Sequence, residues 1–403
     1  MKSIVVIPAG PFQVPFIKHL ISEGFYVITI DEDNNAPGHR YANFTIVENL
    51  GNFQRILEII EQGGLRPSGA ISYCSDSGIL LACVIRKHFG LPSETIETSE
   101  NMVRKDLQRN FWGLTHNRAP EFMVISNNVF DMAKIWEVFG NTLLVIKPVD
   151  LAGSKGVEIV SSRSSEIQKH ILKSLEMSKI GKVIVEQFMQ GDEFTIDGFI
   201  TMGQARTLLM TRKYKSISGL PTVANILEAL DINSDEVSRA QKFVQESLLA
   251  LGFKNGPFHC ELIMRDSEVV GMVEVAGRGG GSNLANRMIP IHSGFNYFEL
   301  STLYAVGDDV TWKRHLNQPC LMLFIPSQEG TFRSFTIPGQ YSQLALEGRL
   351  SSEIYVREGQ VMASPKNDGN RVGDVIIIGE SFGGWHNLIN ELKLDDWVCF
   401  ENQ

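Results

Sequence analysis

Residues 258–283, FHCELIMRDSEVVGMVEVAGRGGGSN, decide the fold of this chain. They form two apolar stretches around a polar turn, and a hairpin folded about Ser267 and Glu268 sets Glu261 and Glu274 face to face. Directly opposed like charges, with Cβ atoms about 5 Å apart, destabilise a sheet unless a positive group lies between them. Magnesium is such a group, since it takes one or two carboxylates and completes its shell with phosphate oxygens and water. The hairpin therefore predicts a magnesium site.

The residues that follow the second glutamate suit an anion. Arg278 is a strong donor, and the glycines of residues 279–281 let the backbone approach a charged group closely. A plainer interpretation stays open at this level, in which one glutamate pairs with Arg265 or Arg278 and the glycines form an ordinary tight loop.

Burial favours the metal over the plainer interpretation. Ile263 and Met272 are predicted to share the face of the two glutamates, while Leu262, Met264 and Val273 occupy the other face. A sheet that is apolar on both faces is largely buried, and buried carboxylates need partners because uncompensated charge is costly there.

The composition describes an ordinary folded protein of two or three domains. The chain has 403 residues, 43% of them hydrophobic and 21% charged, with a net charge of -9 and no basic run. That charge argues against nucleic acid or an anionic membrane as the main partner. Five cysteines without CxxC spacing fit neither a disulfide framework nor a zinc site, so we expect a cytoplasmic protein. No apolar run approaches the ~18 residues of a membrane span.

Residues 3–100 alternate apolar strands with amphipathic helices, a pattern typical of a doubly wound parallel α/β sheet. A nicotinamide site is disfavoured, because the loop of residues 8–13 (PAGPFQ) has one glycine where GxGxxG requires three. One helix is predicted from residues 98–99 to residue 112. From residue 142 the chain becomes rich in β-strands, and short strands and turns dominate after residue 320.

A glycine loop and a lysine indicate a phosphate site. Gly153, Ser154, Lys155 and Gly156 lie between two apolar strands, where backbone N–H groups and an ammonium form an anion nest. Lys147 ends the preceding strand, where a lysine gains little from burial unless an anion meets it. Taken alone, such a loop is usually a flexible surface turn.

Residues 183–193 place an apolar strand, an aromatic side chain and two acids in sequence. An adenine needs a flat apolar slot, and ribose hydroxyls need an acceptor such as a carboxylate. Phe188 also fits an ordinary core position, and Lys105, on a predicted helix, also fits a solvated surface. The order of all these parts is more specific than any one of them.

In this order and approximate spacing the chain resembles the ATP-grasp superfamily, in the branch of carboxylate-amine and L-amino acid ligases with the architecture of biotin carboxylase. The parts that carry the resemblance are Lys105, Lys147, the loop Gly153-Ser154-Lys155-Gly156, the strand end Glu186-Gln187-Phe188, Glu193, Glu261 and the run Glu274-Val-Ala-Gly-Arg278.

The resemblance implies a fold of α/β and α+β parts in three domains. Residues 1–100 would form the N-terminal doubly wound parallel α/β domain. Residues 101–312 would form the nucleotide-clasping α+β domain, with a mobile lid at about residues 113–190. Residues 313–403 would form a small β-rich C-terminal domain.

The resemblance also implies ATP and Mg²⁺, or Mn²⁺, as cofactors. Lys105 and Lys147 would bind the phosphates, and the loop from Gly153 to Gly156 would close over them. Glu186, Gln187 and Phe188 would frame the adenine, and Glu193 would contact the ribose. Glu261 and Glu274 would bind the metal, and Arg278 would act in catalysis together with Lys147.

One departure from the family pattern concerns the metal shell. Many members carry Glu-x-Asn-x-Arg, where this chain has Ala276 in the middle. We hypothesise that Asn283 or a water supplies the missing oxygen. Members that resemble L-amino acid ligases also have a small residue here, which favours that branch.

The implied reaction activates a carboxylate as an acyl phosphate and joins it to an amine, with release of ADP and phosphate. Small-molecule acids and amines are the expected partners, a homodimer is one expected assembly, and Arg212, Lys213 and Arg287 are the candidate substrate contacts. Two alternatives are an ATP-dependent carboxylase or carbamoyl phosphate-type enzyme, and a non-catalytic ATP-binding module.

Overall fold

The strands of this computed structural model form four sheets within the part of the chain that it describes. No helix in that part is long and apolar enough to cross a bilayer. The described residues are 1–116, 119–215, 224–312, 316–364, 371–385, 388–389 and 393–401.

The first sheet is parallel and has helices on both faces. Its elements are β1 (Ser3–Val6), α1 (Val14–Ser22), β2 (Tyr26–Asp31), β3 (Phe44–Val47), α2 (Phe53–Gln62), β4 (Gly69–Ile71) and α3 (Ile79–His88). The strand order is β3-β2-β1-β4. Ile4 and Val6 pack with α1, whereas Val5 and Ile7 pack with α2 and α3, because successive side chains of a strand point to opposite faces. The predicted parallel α/β sheet is confirmed. The sequence did not predict β3, a short edge strand with a single buried residue, Ile46.

Two helices replace the single helix predicted from residues 98–99 to residue 112. They are α4 (Ile96–Asn101), whose first turn is capped by Thr95, and α5 (Lys105–His116). The break at residues 102–104 places Lys105 at the start of α5, where its backbone N–H donates to the carbonyl of Val149 at 3.0 Å. The break therefore brings Lys105 beside the strand that ends at Pro148.

A four-stranded antiparallel sheet follows, in the order β5-β8-β6-β7. Side chains of its two helices pack together with the buried residues of its strands. Its elements are β5 (Phe122–Ile125), α6 (Met132–Phe139), β6 (Leu143–Pro148), β7 (Glu158–Ser161), α7 (Ile167–Met177) and β8 (Val183–Gln187).

An eight-stranded antiparallel sheet forms the centre of the molecule. Its first elements are β9 (Asp192–Thr201), β10 (Gln204–Lys215), β11 (Ala224–Ala229), α8 (Asp235–Ala250), β12 (Gly256–Arg265) and β13 (Glu268–Ala276). The remaining elements of the chain are α9 (Ile289–Ser293), α10 (Tyr297–Val306), β14 (Cys320–Pro326), β15 (Gly330–Phe335), α11 (Ser342–Leu346), β16 (Leu350–Ile354), β17 (Val361–Met362), β18 (Arg371–Ile378) and β19 (Val398–Glu401). Of these, β14, β16 and β18 also belong to the eight-stranded sheet.

The order of the large sheet is β13-β12-β9-β10-β11-β14-β18-β16, and β17-β15-β19 form a small separate sheet. Strands from the proposed nucleotide and C-terminal domains thus share one sheet. The bounds of the three domains stay a prediction, and residue 313, where the last one would begin, lies outside the described residues.

Candidate active site

A cavity of about 500 Å³ lies between the four-stranded and the eight-stranded sheets, which is within the usual size of small-molecule sites. Its lining comprises Lys105, Val145, Lys147, Leu151, Ala152, Gly153, Ser154, Val157, Ile159, Glu186, Gln187, Phe188, Met189, Gly191, Asp192, Glu193, Lys213, Tyr214, Lys215, Glu261, Ile263, Val273 and Glu274.

The cavity is apolar in one part and charged in another. Val145 and Ile159 come from the four-stranded sheet, and Ile263 and Val273 from the hairpin of the large sheet. Apolar walls with a few convergent charged groups are what a base linked to phosphates requires.

A buried group of three charges, which we call the lid triad, stands behind one wall. Glu186 accepts from Arg109 at 2.8 and 3.1 Å and forms an ion pair of 2.7 Å with Lys147. The three side chains are 0–4% exposed. Burial alone would raise the pKa of Glu186, but Arg109 and Lys147 lower it to about 2. Burial lowers the pKa of Lys147, against the opposing effect of Glu186. The triad holds two cations and one anion, so it presents excess positive charge to the cavity.

A second group, the sheet cluster, comprises three glutamates and three lysines: Glu193, Glu261, Glu274, Lys105, Lys213 and Lys215. Lys213 pairs with Glu193 at 2.7 Å and with Glu261 at 2.5 Å, while Lys215 pairs with Glu193 at 2.6 Å. Lys105 pairs with Glu274 at 2.8 Å. These side chains are 8–31% exposed. Burial alone would raise the pKa of Glu261, but Lys213 and His259 hold it well below the ordinary value.

The two hairpin glutamates are direct cross-strand partners, although the turn is not where the sequence suggested. The turn lies at Asp266 and Ser267, both with positive φ, and Arg265 pairs with Glu268. A regular hairpin with this turn would not pair Glu261 with Glu274. Two register shifts, one between Glu261 and Leu262 and one between Ile263 and Met264, restore the pairing. The extra residues of β13 are β-bulges.

Because of the bulges, two residues of β13 point to the faces opposite to those predicted. Met272 is fully buried in the apolar cluster that contains Leu262, while Val273 lines the cavity. The prediction placed them the other way round. A single extra residue reverses the alternation of a strand, and periodicity alone does not reveal it.

The residues present fit a magnesium ion bound to a nucleotide. Glu261 and Glu274 supply the one or two carboxylates that Mg²⁺ usually takes from a protein when phosphates and water complete its shell. Both glutamates line the cavity. The described residues contain no cluster of three or more His, Cys, Asp or Glu side chains suited to a metal without a nucleotide. In this structure lysines supply the positive charge that the opposed glutamates require.

The glycine loop borders the cavity through Gly153 and Ser154. Gly153, Ser154 and Gly156 have φ of 68°, 59° and 71°, the left-handed region that glycine favours. The ammonium of Lys105 donates to the carbonyl of Leu151 at 2.7 Å, so it joins this loop to Glu274. Lys155 is exposed, and neither it nor Gly156 belongs to the lining.

Arg278 lies at the boundary with the residues of the N-terminal sheet and is not part of the cavity lining. Its Nε donates to Asp76 at 2.7 Å, and its side chain is 8% exposed. Burial alone would lower the pKa of Arg278, but Asp76 and Glu274 raise it. Arg278 therefore stays charged where the N-terminal residues meet the glutamate hairpin.

Three predicted residues have other partners. The amide Nδ2 of Asn283 donates to Asp374 at 2.8 Å and to Glu353 at 3.1 Å, and its Oδ1 accepts from Asn286 at 3.0 Å. Arg287 pairs with Asp374, so Asn283 and Arg287 belong to a junction with the C-terminal strands.

Arg212 lies on β10, next to Lys213, but its guanidinium stacks over the ring of Phe194 and faces Asp192 at 4.0 Å. Asn283, Arg287 and Arg212 are absent from the cavity lining. Lys213 is the predicted substrate contact that does line it.

Several residues of this region were missed by the sequence reasoning. Arg109 was not among the predicted site residues, yet it is fully buried against Glu186. Asp197 and His259 form a buried pair, Nδ1 to Oδ1 at 3.0 Å, beside Glu261. Burial alone would lower the pKa of His259, but Asp197 raises it to about 9. A detectable signal was present, because His259 lies two residues before Glu261 and so shares its face of β12.

The comparisons with known proteins agree with this geometry. A family model described as an ATP-grasp domain matches residues 141–286, from the strand that carries Lys147 to the loop after Arg278. Among curated proteins, none matches the sequence.

Solved structures share the fold at low identity. The L-amino acid ligase from Bacillus licheniformis is 18% identical with a TM-score of 0.81, and the match covers 100% of this chain and 99% of that one. Phosphoribosylglycinamide synthetase from Anaerococcus prevotii is 17% identical with a TM-score of 0.72, covering 100% of both chains.

A third structure, the biotin carboxylase domain of 2-oxoglutarate carboxylase from Hydrogenobacter thermophilus, was solved with MgADP, ADP and bicarbonate. It is 13% identical, with a TM-score of 0.66, and the match covers 94% of this chain and 86% of that one. The family model and the shared fold agree: residues 141–286 match an ATP-grasp domain, and the chain as a whole has the fold of these enzymes.

Proposed function

We propose that the protein is an ATP- and Mg²⁺-dependent ligase that activates a carboxylate as an acyl phosphate and joins it to an amine, releasing ADP and phosphate. The observation that carries the proposal is the opposed pair Glu261 and Glu274 at a cavity that Lys105 and Lys147 also line. Carboxylates for a metal and cations for phosphates on one cavity suit phosphoryl transfer, in which a protein mainly positions groups and stabilises charge.

The nucleotide would lie with its base between the apolar walls and its phosphates toward the lysines. Glu186 fixes Lys147 from behind, and Arg109 keeps Glu186 ionised, so the ammonium of Lys147 is held in place before the nucleotide arrives. Preorganised charge of this kind stabilises a transition state without reorganisation during the reaction. Glu193, Gln187 and Phe188 border the same space and suit the ribose and base.

Glu261 and Glu274 would hold the metal. When bound, Mg²⁺ neutralises charge on phosphoryl oxygens and so favours attack on the γ-phosphate. Lys105 and Lys213, the present partners of the two glutamates, would then be released toward phosphate oxygens. Arg278, held by Asp76, would face the transferring phosphoryl group.

The reaction would proceed in two displacements. An oxygen of the substrate carboxylate attacks the γ-phosphorus, and the bond to the bridging oxygen breaks, so that ADP leaves. The amine nitrogen then attacks the acyl carbon, the C–O bond to phosphate breaks, and the amine loses a proton. The shared fold with an L-amino acid ligase supports amino acids as the first substrates to test.

A pairwise screen of amino acids with Mg-ATP tests the proposal. We expect release of ADP and phosphate that requires both an acid and an amine, with a condensed product visible by mass spectrometry. ATP binding without ADP release in any mixture would indicate a binding module instead. Phosphate release that requires bicarbonate would indicate the carboxylase alternative. The Glu274→Gln variant is the blank for contaminating ATPases.

A further inference from the structure

A histidine lies in the row of side chains next to the two hairpin glutamates. Across three neighbouring strands, Asp197, His259 and Ala276 are direct partners. The adjacent row on the same strands holds Glu261 and Glu274. Because residues two apart on a strand share a face, both rows point the same way. His259 therefore stands beside the proposed metal ligands rather than behind them.

The ring of His259 is fixed from one side. Its Nδ1 lies 3.0 Å from Oδ1 of Asp197, and the two side chains are 8% and 0% exposed. Its Nε2 lies 3.8 Å from Oε1 of Glu261. A carboxylate on one ring nitrogen sets the orientation of an imidazole, so that the other nitrogen is directed at its target.

The small side chain of Ala276 leaves room for the ring of His259. The alanine methyl is the side chain opposite His259 on β13, and Ala276 is 5% exposed. A longer polar side chain at position 276 would stand in the same row and compete with the ring for the space next to Glu261.

We propose that His259 is a positioning residue for Glu261: held by Asp197 and seated opposite Ala276, it fixes this carboxylate toward the magnesium of the bound nucleotide. The proposal deepens the proposed function and rests on it. It replaces our hypothesis that Asn283 compensates for Ala276, since the Asn283 amide is engaged by Asp374 and Asn286.

The physical basis is the role of outer-shell groups at metal sites. Such groups orient the ligands, and their removal commonly weakens metal binding about 10-fold to 100-fold. The two opposed carboxylates repel one another. Lys213 offsets that repulsion in this structure, and in the proposed function it turns toward the phosphate oxygens. His259 would hold Glu261 in place against that repulsion.

Two amide substitutions distinguish the roles of the two ring nitrogens of His259. His259→Asn places an amide nitrogen near the Nδ1 position and keeps the contact with Asp197, but it is too short to reach Glu261. His259→Gln places its amide near Nε2 and keeps the contact with Glu261. We therefore expect His259→Asn to weaken binding of Mn²⁺ in the presence of ADP at least 10-fold, and His259→Gln to weaken it less. Electron paramagnetic resonance of free Mn²⁺ measures both without turnover.

The control removes a buried histidine elsewhere. His292 is fully buried and hydrogen-bonded to the carbonyl of Gln318, so His292→Ala matches the loss of a packed imidazole and should leave the affinity for Mn²⁺ unchanged. Wild-type affinity for Mn²⁺ in folded His259→Asn would overturn the positioning role and leave the proposed function intact. A wild-type protein that binds no Mn²⁺ with ADP would overturn both.

Discussion

The lid triad and the sheet cluster border one cavity, yet they differ in solvent exposure and in charge balance. The triad is 0–4% exposed and holds two cations to one anion. The sheet cluster is 8–31% exposed and matches three glutamates with three lysines. In a fully buried group with excess positive charge, loss of the carboxylate lowers the free energy of unfolding strongly. In a partly exposed group with equal numbers of opposite charges, the side chains can exchange partners at low cost. The difference separates residues that maintain the site from residues that react to a ligand.

Removal of the carboxylate in the lid triad should have the largest effect. Glu186→Gln leaves Arg109 and Lys147 buried without a counter-charge, and we expect the free energy of unfolding to fall by about 3–5 kcal/mol. Urea denaturation measures it. Glu193→Gln, the same change in the sheet cluster, should cost less, because Lys213 keeps Glu261 as a partner and Lys215 is partly exposed. Equal losses in the two variants would remove the distinction between the groups.

Acid should abolish the contribution of Glu186 in a defined range of pH. The pKa of Glu186 in the folded protein is about 2, below its ordinary value of 4.5. Its stabilisation is therefore complete above pH 4.5 and is lost as pH falls toward 2, by about 3 kcal/mol in all. The difference in stability between wild type and Glu186→Gln, followed by denaturation from pH 6 to pH 2.5, should shrink over this interval. A constant difference would contradict the assignment.

In the sheet cluster, loss of a carboxylate should lower activity rather than stability. Glu274→Gln keeps the shape but removes a proposed metal ligand, so we expect turnover to fall at least about a hundredfold while the thermal midpoint changes little. Glu268→Gln, at the exposed start of the same strand, is the control and should retain full activity. Normal turnover of Glu274→Gln would disprove the metal assignment.

The smallest effect is expected at the edge of the glycine loop. Lys155 is exposed and outside the cavity lining, so Lys155→Ala should raise the KM for ATP by about fivefold or less, in line with a surface ion contact. Lys147→Met, which removes a cation from the cavity wall, should raise it considerably more. A larger effect at Lys155 would show that the loop closes tightly over the nucleotide.

The two groups also differ in how far they could be predicted. The sheet cluster was largely found: Glu261 and Glu274 lie in one hairpin, and Glu193, Lys105 and Lys213 were candidate site residues, whereas Lys215 was not among them. The lid triad was not recognised as a unit, since Arg109 and Glu186 are far apart in the chain and the helix surface around Arg109 looks polar. Asn283 was expected to supply the metal oxygen missing at Ala276, and Arg287 to contact the substrate, but a C-terminal strand supplies their partner, Asp374.

The sequence by itself determined the parallel N-terminal sheet, because strand periodicity is written locally, and the order of its motifs indicated the ATP-grasp fold. It also predicted that Glu261 and Glu274 oppose one another, but two bulges rather than the predicted turn create that pairing. Only the tertiary structure decided which charges meet across distant segments, which face Val273 takes after a bulge, and that His259 stands between Asp197 and Glu261. The physical reason is register. One inserted residue reverses the face of a strand, and the neighbours of a side chain depend on strand order, which local patterns do not encode.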